Sequence, residues 1–266
     1  MKANKNTFKQ ALKNNTPLYG LWLGLPHSSC AEIAAGAGFD WLLIDCEHAP
    51  YSLMDVQHHL QAIAPYGVPA IVRPIEGRTA ILKQLLDVGA QTFLVPMVDT
   101  AEQAEQLVSD VLYPPAGQRG LGTSMARAAH WNGVPGYLHE ANDDICLIVQ
   151  AESALAMENL KNIVQVDGVD AVFIGPSDLS ASMGHIGNPG HPDVVAAIEQ
   201  GFATIKTAGK SAGVLAVDEK LAKHYVGLGA NFVGVGVDSS LLAASVRQLA
   251  SQYIDPAGTQ DQKAGY

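Results

Sequence analysis

Positive charge, cysteine and long apolar runs are all scarce in this sequence, and each shortage excludes a class of protein. The 266 residues include 16 lysines and arginines against 26 aspartates and glutamates, which gives a formal net charge of −10. Such a chain has no basic surplus to neutralise phosphates or to dock on an anionic membrane, so we expect neither nucleic acid nor a membrane as a partner. No apolar run approaches the roughly 20 residues of a membrane-spanning helix.

Cysteines are few and poorly spaced for pairing, because Cys30, Cys46 and Cys146 are odd in number and far apart. Two of them lie in apolar, strand-like runs, which favours small buried side chains over disulfides or a zinc cage. The first residues carry no apolar segment of the signal-peptide kind. We therefore expect a cytoplasmic protein in a reducing compartment.

What the sequence does contain is an apolar pattern that repeats along the chain. Apolar residues make up 48% and charged residues 16% of the sequence, enough for a large core. The predicted strands cover residues 18–23, 41–45, 69–72, 91–95, 145–150, 170–174, 212–216 and 231–235. The predicted helices that follow them cover residues 28–37, 53–64, 80–88, 101–111, 154–163, 192–208, 219–227 and 240–253.

This alternation predicts an α/β fold, a (β/α)8 TIM barrel, which needs about 250 residues. We expect a single domain over residues 1–253, with an extra N-terminal helix and a closing C-terminal helix, and a mobile tail at 254–266. A doubly wound open sheet is the alternative. Its dinucleotide fingerprint is absent, since Gly234-Val-Gly236 lacks a third glycine, and we interpret this motif as a tight turn after the last strand.

The second predicted strand runs straight into ionisable groups, in the sequence WLLIDCEH at residues 41–48. A continuous apolar run of this kind indicates a strand buried on both faces, and its carboxyl end is where barrels bind ligands. His48 is the candidate for moving a proton, because the pKa of histidine lies nearest physiological pH. The alternative is a capping turn in which Asp45 and Glu47 only serve the next helix.

Further polar side chains follow two later strands. Gln150 and Glu152 end the fifth strand, and Asp178 lies in a Gly-Pro-Ser-Asp loop after the sixth. Strand ends of a closed barrel surround one mouth, so acids gathered there need a counter-charge. Hard oxygen ligands favour Mg²⁺ or Mn²⁺ over zinc, and Glu152 and Asp178 are the predicted ligands. The alternative for each is a helix N-cap.

Arg73 and Asp87 complete the set of candidates that the residues themselves indicate. Arg73 ends the third strand, where a guanidinium suits a substrate carboxylate or a developing enolate oxygen. Its alternative role is to pair with a neighbouring acid. Asp87 is an acid in an apolar setting and is a candidate to orient the imidazole of His48, with exposure at a helix end as the alternative.

Covalent mechanisms are disfavoured by what the strand ends lack. None of the lysines falls at the carboxyl end of a predicted strand, which argues against a Schiff base and for a metal-stabilised enolate. The Gly-x-Ser-x-Gly nucleophile elbow is also missing.

Five motifs resemble the HpcH/HpaI family of class II pyruvate aldolases: GLWLG at 20–24, AGAGFDWLLIDCEHAP at 35–50, LVPM at 94–97, YPPAGQRG at 113–120 and FIGPSDLS at 173–180. The resemblance covers residues 7–253 and is nearest to members that act on 4-hydroxy-2-oxoheptanedioate. It implies metal-dependent retro-aldol cleavage of this or a similar 4-hydroxy-2-oxo acid to pyruvate and succinate semialdehyde, with Mg²⁺, Mn²⁺ or Co²⁺ and no nucleotide.

The resemblance also implies a role for each matching position. Glu152 and Asp178 match the metal ligands, His48 the base, and Asp87 the acid paired with that histidine. The matching substrate contacts are Arg73, Gln150, Gly175, Pro176, Asp178, Trp22 and Asp45. The family implies a homo-oligomer, a hexamer in which a neighbouring subunit completes the site. Cys46 departs from the glycine expected there and leaves open whether its larger side chain crowds the site.

Three other functions stay open at this point. The first is an aldolase for a deoxy-keto-sugar acid such as 2-dehydro-3-deoxyglucarate, which would differ in the aldehyde pocket that residues 113–135 are expected to shape. The second is an acyl-CoA lyase, although this acidic chain lacks an evident basic nucleotide surface. The third is a catalytically silent protein that binds pyruvate or oxalate.

Overall fold

Eight parallel strands close into a barrel in a computed structural model that describes residues 5–14 and 16–254. Each strand pairs with the next in the chain, and the last pairs with the first, so the predicted TIM barrel is confirmed. The strands are β1 (Leu18–Leu23), β2 (Trp41–Asp45), β3 (Ala70–Arg73), β4 (Thr92–Val95), β5 (Cys146–Ala151), β6 (Ala171–Ile174), β7 (Ser211–Leu215) and β8 (Ala230–Val237).

Helices cover the outside of the barrel, and most bounds lie within three residues of the predicted ones. They are α1 (Thr7–Ala11), α2 (Ser28–Ala35), α3 (Leu53–Ile63), α4 (Thr79–Val88), α5 (Ala101–Val111), α6 (Tyr137–Glu140), α7 (Ala154–Ile163), α8 (Pro176–Ser182), α9 (Pro192–Thr207), α10 (Glu219–Leu228) and α11 (Asp238–Ser251). Single 3₁₀ turns span Ala64–Tyr66, Arg127–Ala129 and Ala141–Asp144. The mobile tail predicted at 254–266 lies, from residue 255 onward, outside the described residues.

Two sequence-based assignments need correction. The predicted Gly-Pro-Ser-Asp loop is instead the start of α8, because Pro176 occupies its first turn, where a missing N–H costs nothing. The predicted tight turn at Gly234-Val-Gly236 lies inside β8. Glycine is needed at 234 for space, since a Cβ there would lie 2.4 Å from the ring of Trp22.

The interior of the barrel is a layered apolar core, distinct from the larger one between strands and helices. Its aromatic members Trp22, Trp41, Phe173 and Phe232 meet at ring-centroid distances of 5.5–6.3 Å. Two more glycines make room for them: a Cβ at Gly20 would lie 2.1 Å from Trp41, and one at Gly213 would lie 2.2 Å from Phe232. Phe8 and Leu12, in α1 and just after it, close the amino end of this core.

Helix α11 differs from the other long helices because none of its residues is buried. It nevertheless carries Leu241, Leu242, Val246 and Leu249, each more than half exposed. None of the helices in the described part of the chain has both the length and the apolarity needed to cross a bilayer.

Candidate active site

Alternation along the strands carries a set of polar side chains into the carboxyl mouth of the barrel. In each strand every second residue points inward, so Asp45 follows Trp41 and Leu43 of the inner core, and Arg73 follows Ile71. Gln150 and Glu152 follow the inner residue Ile148 in the same way. All four polar side chains belong to buried residues, with exposed fractions of 2% for Gln150, 2% for Glu152, 5% for Asp45 and 6% for Arg73.

Asp45 and Arg73 form a bidentate ion pair across neighbouring strands. Their Cα atoms are register partners in β2 and β3. Arg73 donates from Nε to Asp45 Oδ1 at 2.9 Å and from Nη2 to Oδ2 at 2.5 Å. The guanidinium carbon lies 5.9 Å from the ring centroid of Trp22, which is 4% exposed and supports Arg73 from below. Two hydrogen bonds to Asp45 and the ring of Trp22 therefore fix the direction of the guanidinium.

The same aspartate organises the turn that follows β2. Asp45 Oδ1 accepts the backbone N–H groups of Glu47 at 3.1 Å and His48 at 3.3 Å. The next helix is capped by Ser52 and Asp55 in a reciprocal capping box. The alternative of a mere helix cap is therefore wrong for Asp45, whose carboxylate holds a turn and an arginine at once.

Glu47 is a site residue to which the sequence assigned no separate role. Its Oε2 lies 2.9 Å from Arg73 Nη1 and 3.7 Å from His48 Nε2. Burial raises the pKa of Glu47, with further raising by Asp45 and Asp178 and lowering by Arg73 and His48. The side chain of His48 is 63% exposed at the mouth, so it has access to a ligand entering from solvent.

Glu152 is the most perturbed carboxyl group of the mouth. Its Oε1 accepts the backbone N–H of Met97 at 2.9 Å, and its Oε2 accepts the side-chain amide of Gln150. Burial raises its pKa to about 7; the Met97 hydrogen bond and Arg73 lower it, whereas the charges of Asp178 and Glu47 raise it. These carboxylates therefore share one electrostatic environment at the mouth.

The turn after β6 is shaped to fit Glu152. A Cβ on Gly175 would lie 2.4 Å from Glu152 Oε2 and 2.9 Å from Gln150 Nε2, so only glycine lets the two segments approach. Pro176 starts α8, and Asp178 lies in its first turn with an exposed side chain. The N-cap alternative is wrong for both acids, because Ser153 caps α7 and Gly175 occupies the N-cap position of α8.

The donor set fits a divalent ion. Three carboxylates influence one another here, and Arg73 is already engaged by Asp45 and Glu47. Gln150 Oε1 and Glu47 Oε2 are two of the five buried side-chain oxygens that have no hydrogen-bond partner in the described part of the chain. Clustered acids with a raised pKa and a free amide oxygen are the oxygen-rich surroundings that Mg²⁺ or Mn²⁺ binds.

Asp87 is not brought to His48 within this chain. It lies in the last turn of α4, and its Oδ1 lies 3.6 Å from Nη2 of Arg119, a buried arginine stacked 4.2 Å from the ring centroid of Tyr113. The Asp87–His48 pair therefore remains a prediction, and within the described residues the carboxylate faces Arg119.

Cys46 does not crowd the mouth. It alternates with Asp45, so its side chain packs outward on the core between barrel and helices. Burial, with the charge of Asp45, raises the pKa of its thiol to about 12.

Met97, the last residue of the LVPM motif, is the second site residue to which the sequence assigned no separate role. Its φ of 56° lies in the left-handed region, which is uncommon for a non-glycine residue. This conformation directs its N–H at Glu152 just after β4 ends. The one sequence signal for such a role is that Met97 lies just after a strand, and Glu47 has the same kind of position.

Comparisons with known proteins agree with this architecture. The profile of the HpcH/HpaI aldolase/citrate lyase family matches residues 18–245. A hydroxypyruvate/pyruvate aldolase of Deinococcus radiodurans is 60% identical over 94% of this chain and 90% of its own length. A 4-hydroxy-2-oxo-heptane-1,7-dioate aldolase of Salmonella arizonae is 57% identical, covering 94% and 95%. A solved HpcH/HpaI family structure from Burkholderia cenocepacia superposes with a TM-score of 0.89 at 39% identity, covering 93% and 99%.

Proposed function

The chain belongs to the HpcH/HpaI aldolase/citrate lyase family and is a carbon–carbon lyase, and we propose that it is a metal-dependent class II aldolase acting on 4-hydroxy-2-oxo acids. One observation carries the proposal: a buried arginine, fixed by Asp45, faces the same mouth as the carboxylates of Glu152 and Asp178. An oxo acid needs such a cation, and its cleavage needs a place for the released electron pair.

Glu152 and Asp178 are the side chains that would hold the ion. A divalent metal bound there supplies Lewis acidity that polarises the keto oxygen of the substrate. Mg²⁺, Mn²⁺ and Co²⁺ all suit carboxylate ligands that leave room for water and substrate. Met97 and Gln150 fix the direction of the Glu152 carboxylate before anything binds.

Arg73 retains hydrogen-bonding capacity for the substrate. A guanidinium has five N–H donors, and three of them face Asp45 and Glu47. We assign the remaining two, one on Nη1 and one on Nη2, to the oxygens of the oxo acid. They stabilise the negative charge that grows on those oxygens as the carbon–carbon bond breaks.

His48 is the proposed base. A neutral imidazole takes the proton from the C4 hydroxyl, the C3–C4 bond breaks, and its electron pair moves into the enolate of pyruvate while the aldehyde leaves. The proton that His48 has taken then returns to C3 of the enolate, which gives pyruvate and restores the neutral imidazole. Glu47, 3.7 Å from Nε2, stabilises the imidazolium formed in the first step.

The substrate range is tested by a screen with the full chain. Candidate acids are 4-hydroxy-2-oxoheptanedioate and 2-dehydro-3-deoxyglucarate, with pyruvate release followed by a coupled assay in Mg²⁺, Mn²⁺ or Co²⁺. Two relatives are named hydroxypyruvate/pyruvate aldolase. The screen therefore also includes the reverse, bond-forming reaction, with hydroxypyruvate in place of pyruvate as the nucleophile. We expect cleavage that a chelator abolishes and borohydride spares; activity that survives chelation but is lost with borohydride would establish an imine instead.

The raised pKa of Glu152 predicts how the stability of the metal-free protein depends on pH. Between pH 4.5 and about 7 the unfolded chain loses the Glu152 proton while the folded chain keeps it, so stability falls as pH rises through this window. The loss should be about 2–3 kcal/mol, from a shift of this size. Chemical denaturation with chelator at pH 5 and pH 7.5 measures it. Glu152→Gln should remove this part of the pH dependence, and an unchanged slope in that variant would contradict the assignment.

We propose further that the protein is a homo-oligomer, with the hexamer of the family as the expected form. The uncovered apolar residues of α11 support this, because Leu242, Val246 and Leu249 share one face. Light scattering of the parent should give a multiple of 28.0 kDa. The double variant Leu242→Glu/Val246→Glu should lower that mass, whereas Ala244→Glu, on the opposite side of the helix, should not. A monomeric parent would refute the proposal.

A further inference from the structure

Two histidines and an aspartate come together beyond the far end of α8, away from the residues assigned to the reaction. His185 and His191 stack with ring centroids 3.5 Å apart and planes at 13°. Asp193 Oδ2 lies 3.5 Å from His185 Nε2 and 3.7 Å from His191 Nδ1. Among the described residues this is the one group whose three ligand atoms lie within 4.8 Å of one another.

The backbone builds this cluster from a short turn. Gly184 and Gly187 adopt positive φ values of 85° and 74°, which reverse the chain after α8. Asn188 donates its N–H to the carbonyl of His185 at 2.9 Å, and His191 donates to that of Asn188 at 3.0 Å. Pro192 then begins α9, so both imidazoles are carried by a hydrogen-bonded loop tied to a sixteen-residue helix.

The tautomer of His191 is already suited to a metal. Its Nδ1 accepts the backbone N–H of Asp193 at 3.2 Å, so that nitrogen carries a lone pair and the proton lies on Nε2. A metal ion takes the same lone pair in place of this long hydrogen bond.

We propose that His185, His191 and Asp193 form a second metal site, of the zinc type. Ligands about 2.1 Å from a tetrahedral zinc ion lie roughly 3.4 Å apart, close to the 3.5 and 3.7 Å that separate Asp193 Oδ2 from the two imidazole nitrogens. Because the two rings are stacked in nearly parallel planes, one imidazole must rotate about its side-chain bonds before both in-plane lone pairs reach the same ion. Three protein ligands leave one position for water. Nitrogen donors select Zn²⁺ over Mg²⁺, so this site and the carboxylate site prefer different ions.

The consequence of such a site is local. A bound ion would link the turn after α8 to the first turn of α9. Helix α8 itself begins beside the residues that face the barrel mouth. The ion would therefore stabilise the folded chain by mass action without taking part in the reaction. The proposed zinc site does not depend on the aldolase function, and the number of metal ions bound per chain tests it.

Zinc stoichiometry of the metal-stripped full chain tests the proposal, measured by competition with a chromophoric chelator. His185→Gln should bind about one Zn²⁺ fewer per chain than the parent. Asp178→Asn should retain this equivalent, because its change lies in the carboxylate site. His224→Gln is the matched control: His224 pairs with Glu199 at 2.9 Å as a lone surface imidazole, and its loss should leave the count unchanged.

A second variant guards against misfolding of the first. Asp193→Asn changes a side chain that is 68% exposed and so should fold normally, yet it should weaken the same equivalent by tenfold or more, in proportion to a lost anionic ligand. The parent should also gain thermal stability from Zn²⁺ but not, at this site, from Mg²⁺. Equal zinc counts in the parent, His185→Gln and Asp193→Asn would overturn the proposal.

Discussion

Replacing Glu152 with glutamine should lower kcat/KM by roughly 10³-fold or more, because the amide removes an anionic ligand proposed for the divalent ion that would stabilise the enolate. Glutamine keeps the size of the side chain and can still accept the N–H of Met97. The fold should therefore survive. In chelator at pH 7.5 the variant should be at least as stable as the parent, since a buried carboxylate with a raised pKa has been replaced by a neutral group.

This combination of lost activity and preserved stability separates ligand loss from misfolding. Steady-state kinetics across a range of Mn²⁺ concentrations, beside denaturant unfolding, provides both readings. Glu158→Gln is the control, because Glu158 is an exposed carboxylate of α7 and should keep parental kinetics. A Glu152→Gln enzyme with less than about a tenfold loss at saturating metal would remove Glu152 from the proposed ligand set.

Arg73→Ala should be the most destabilising of the polar substitutions at the mouth and should also abolish measurable cleavage. Removing the guanidinium leaves Asp45 and Glu47 without the cation that neutralises them, and breaking a buried ion pair from one side costs about 3–5 kcal/mol. The same change removes the two N–H donors proposed for the oxo acid. Denaturant unfolding and kcat/KM measure the two losses separately.

Arg73→Lys distinguishes charge from geometry at this position. Lysine keeps the positive charge but cannot make the paired contacts to Asp45, so stability should recover in part while kcat/KM stays low. Arg78→Ala is the matched control: Arg78 pairs with Glu76 at 2.9 Å but is 74% exposed, and its loss should cost under about 1 kcal/mol. Equal destabilisation by Arg73→Ala and Arg78→Ala would contradict the buried-pair account.

The sequence predicted those site residues whose side-chain direction is set by strand geometry alone. Asp45, Arg73 and Gln150 were predictable because each occupies the inward parity of its strand, and parity is set by the period of two. Glu47 and Met97 lie beyond strand ends, where the chain path depends on a turn held by Asp45 and on a left-handed φ. No local pattern encodes either of these features.

The sequence pattern did not predict contacts between segments that are distant along the chain. Asp87 faces Arg119, a residue of the long excursion between β4 and β5, and nothing in the spacing of the two indicates this meeting. The uncovered face of α11 was missed for a similar reason. Its apolar spacing is that of an ordinary amphipathic helix, and only packing decides whether such a face meets the same barrel.

The three glycine–aromatic pairs inside the barrel limit how this catalyst can be remodelled for bulkier aldehydes. Trimming Trp22 to deepen the pocket would open a void beside Gly234, at a cost of about 3–5 kcal/mol, and enlarging Gly234 alone would collide with the indole. Productive changes there must therefore be paired substitutions of a glycine and its aromatic partner on neighbouring strands. Laboratory evolution by single substitutions should therefore yield useful variants in the segments around the mouth of the barrel and leave the aromatic layer inside it unchanged.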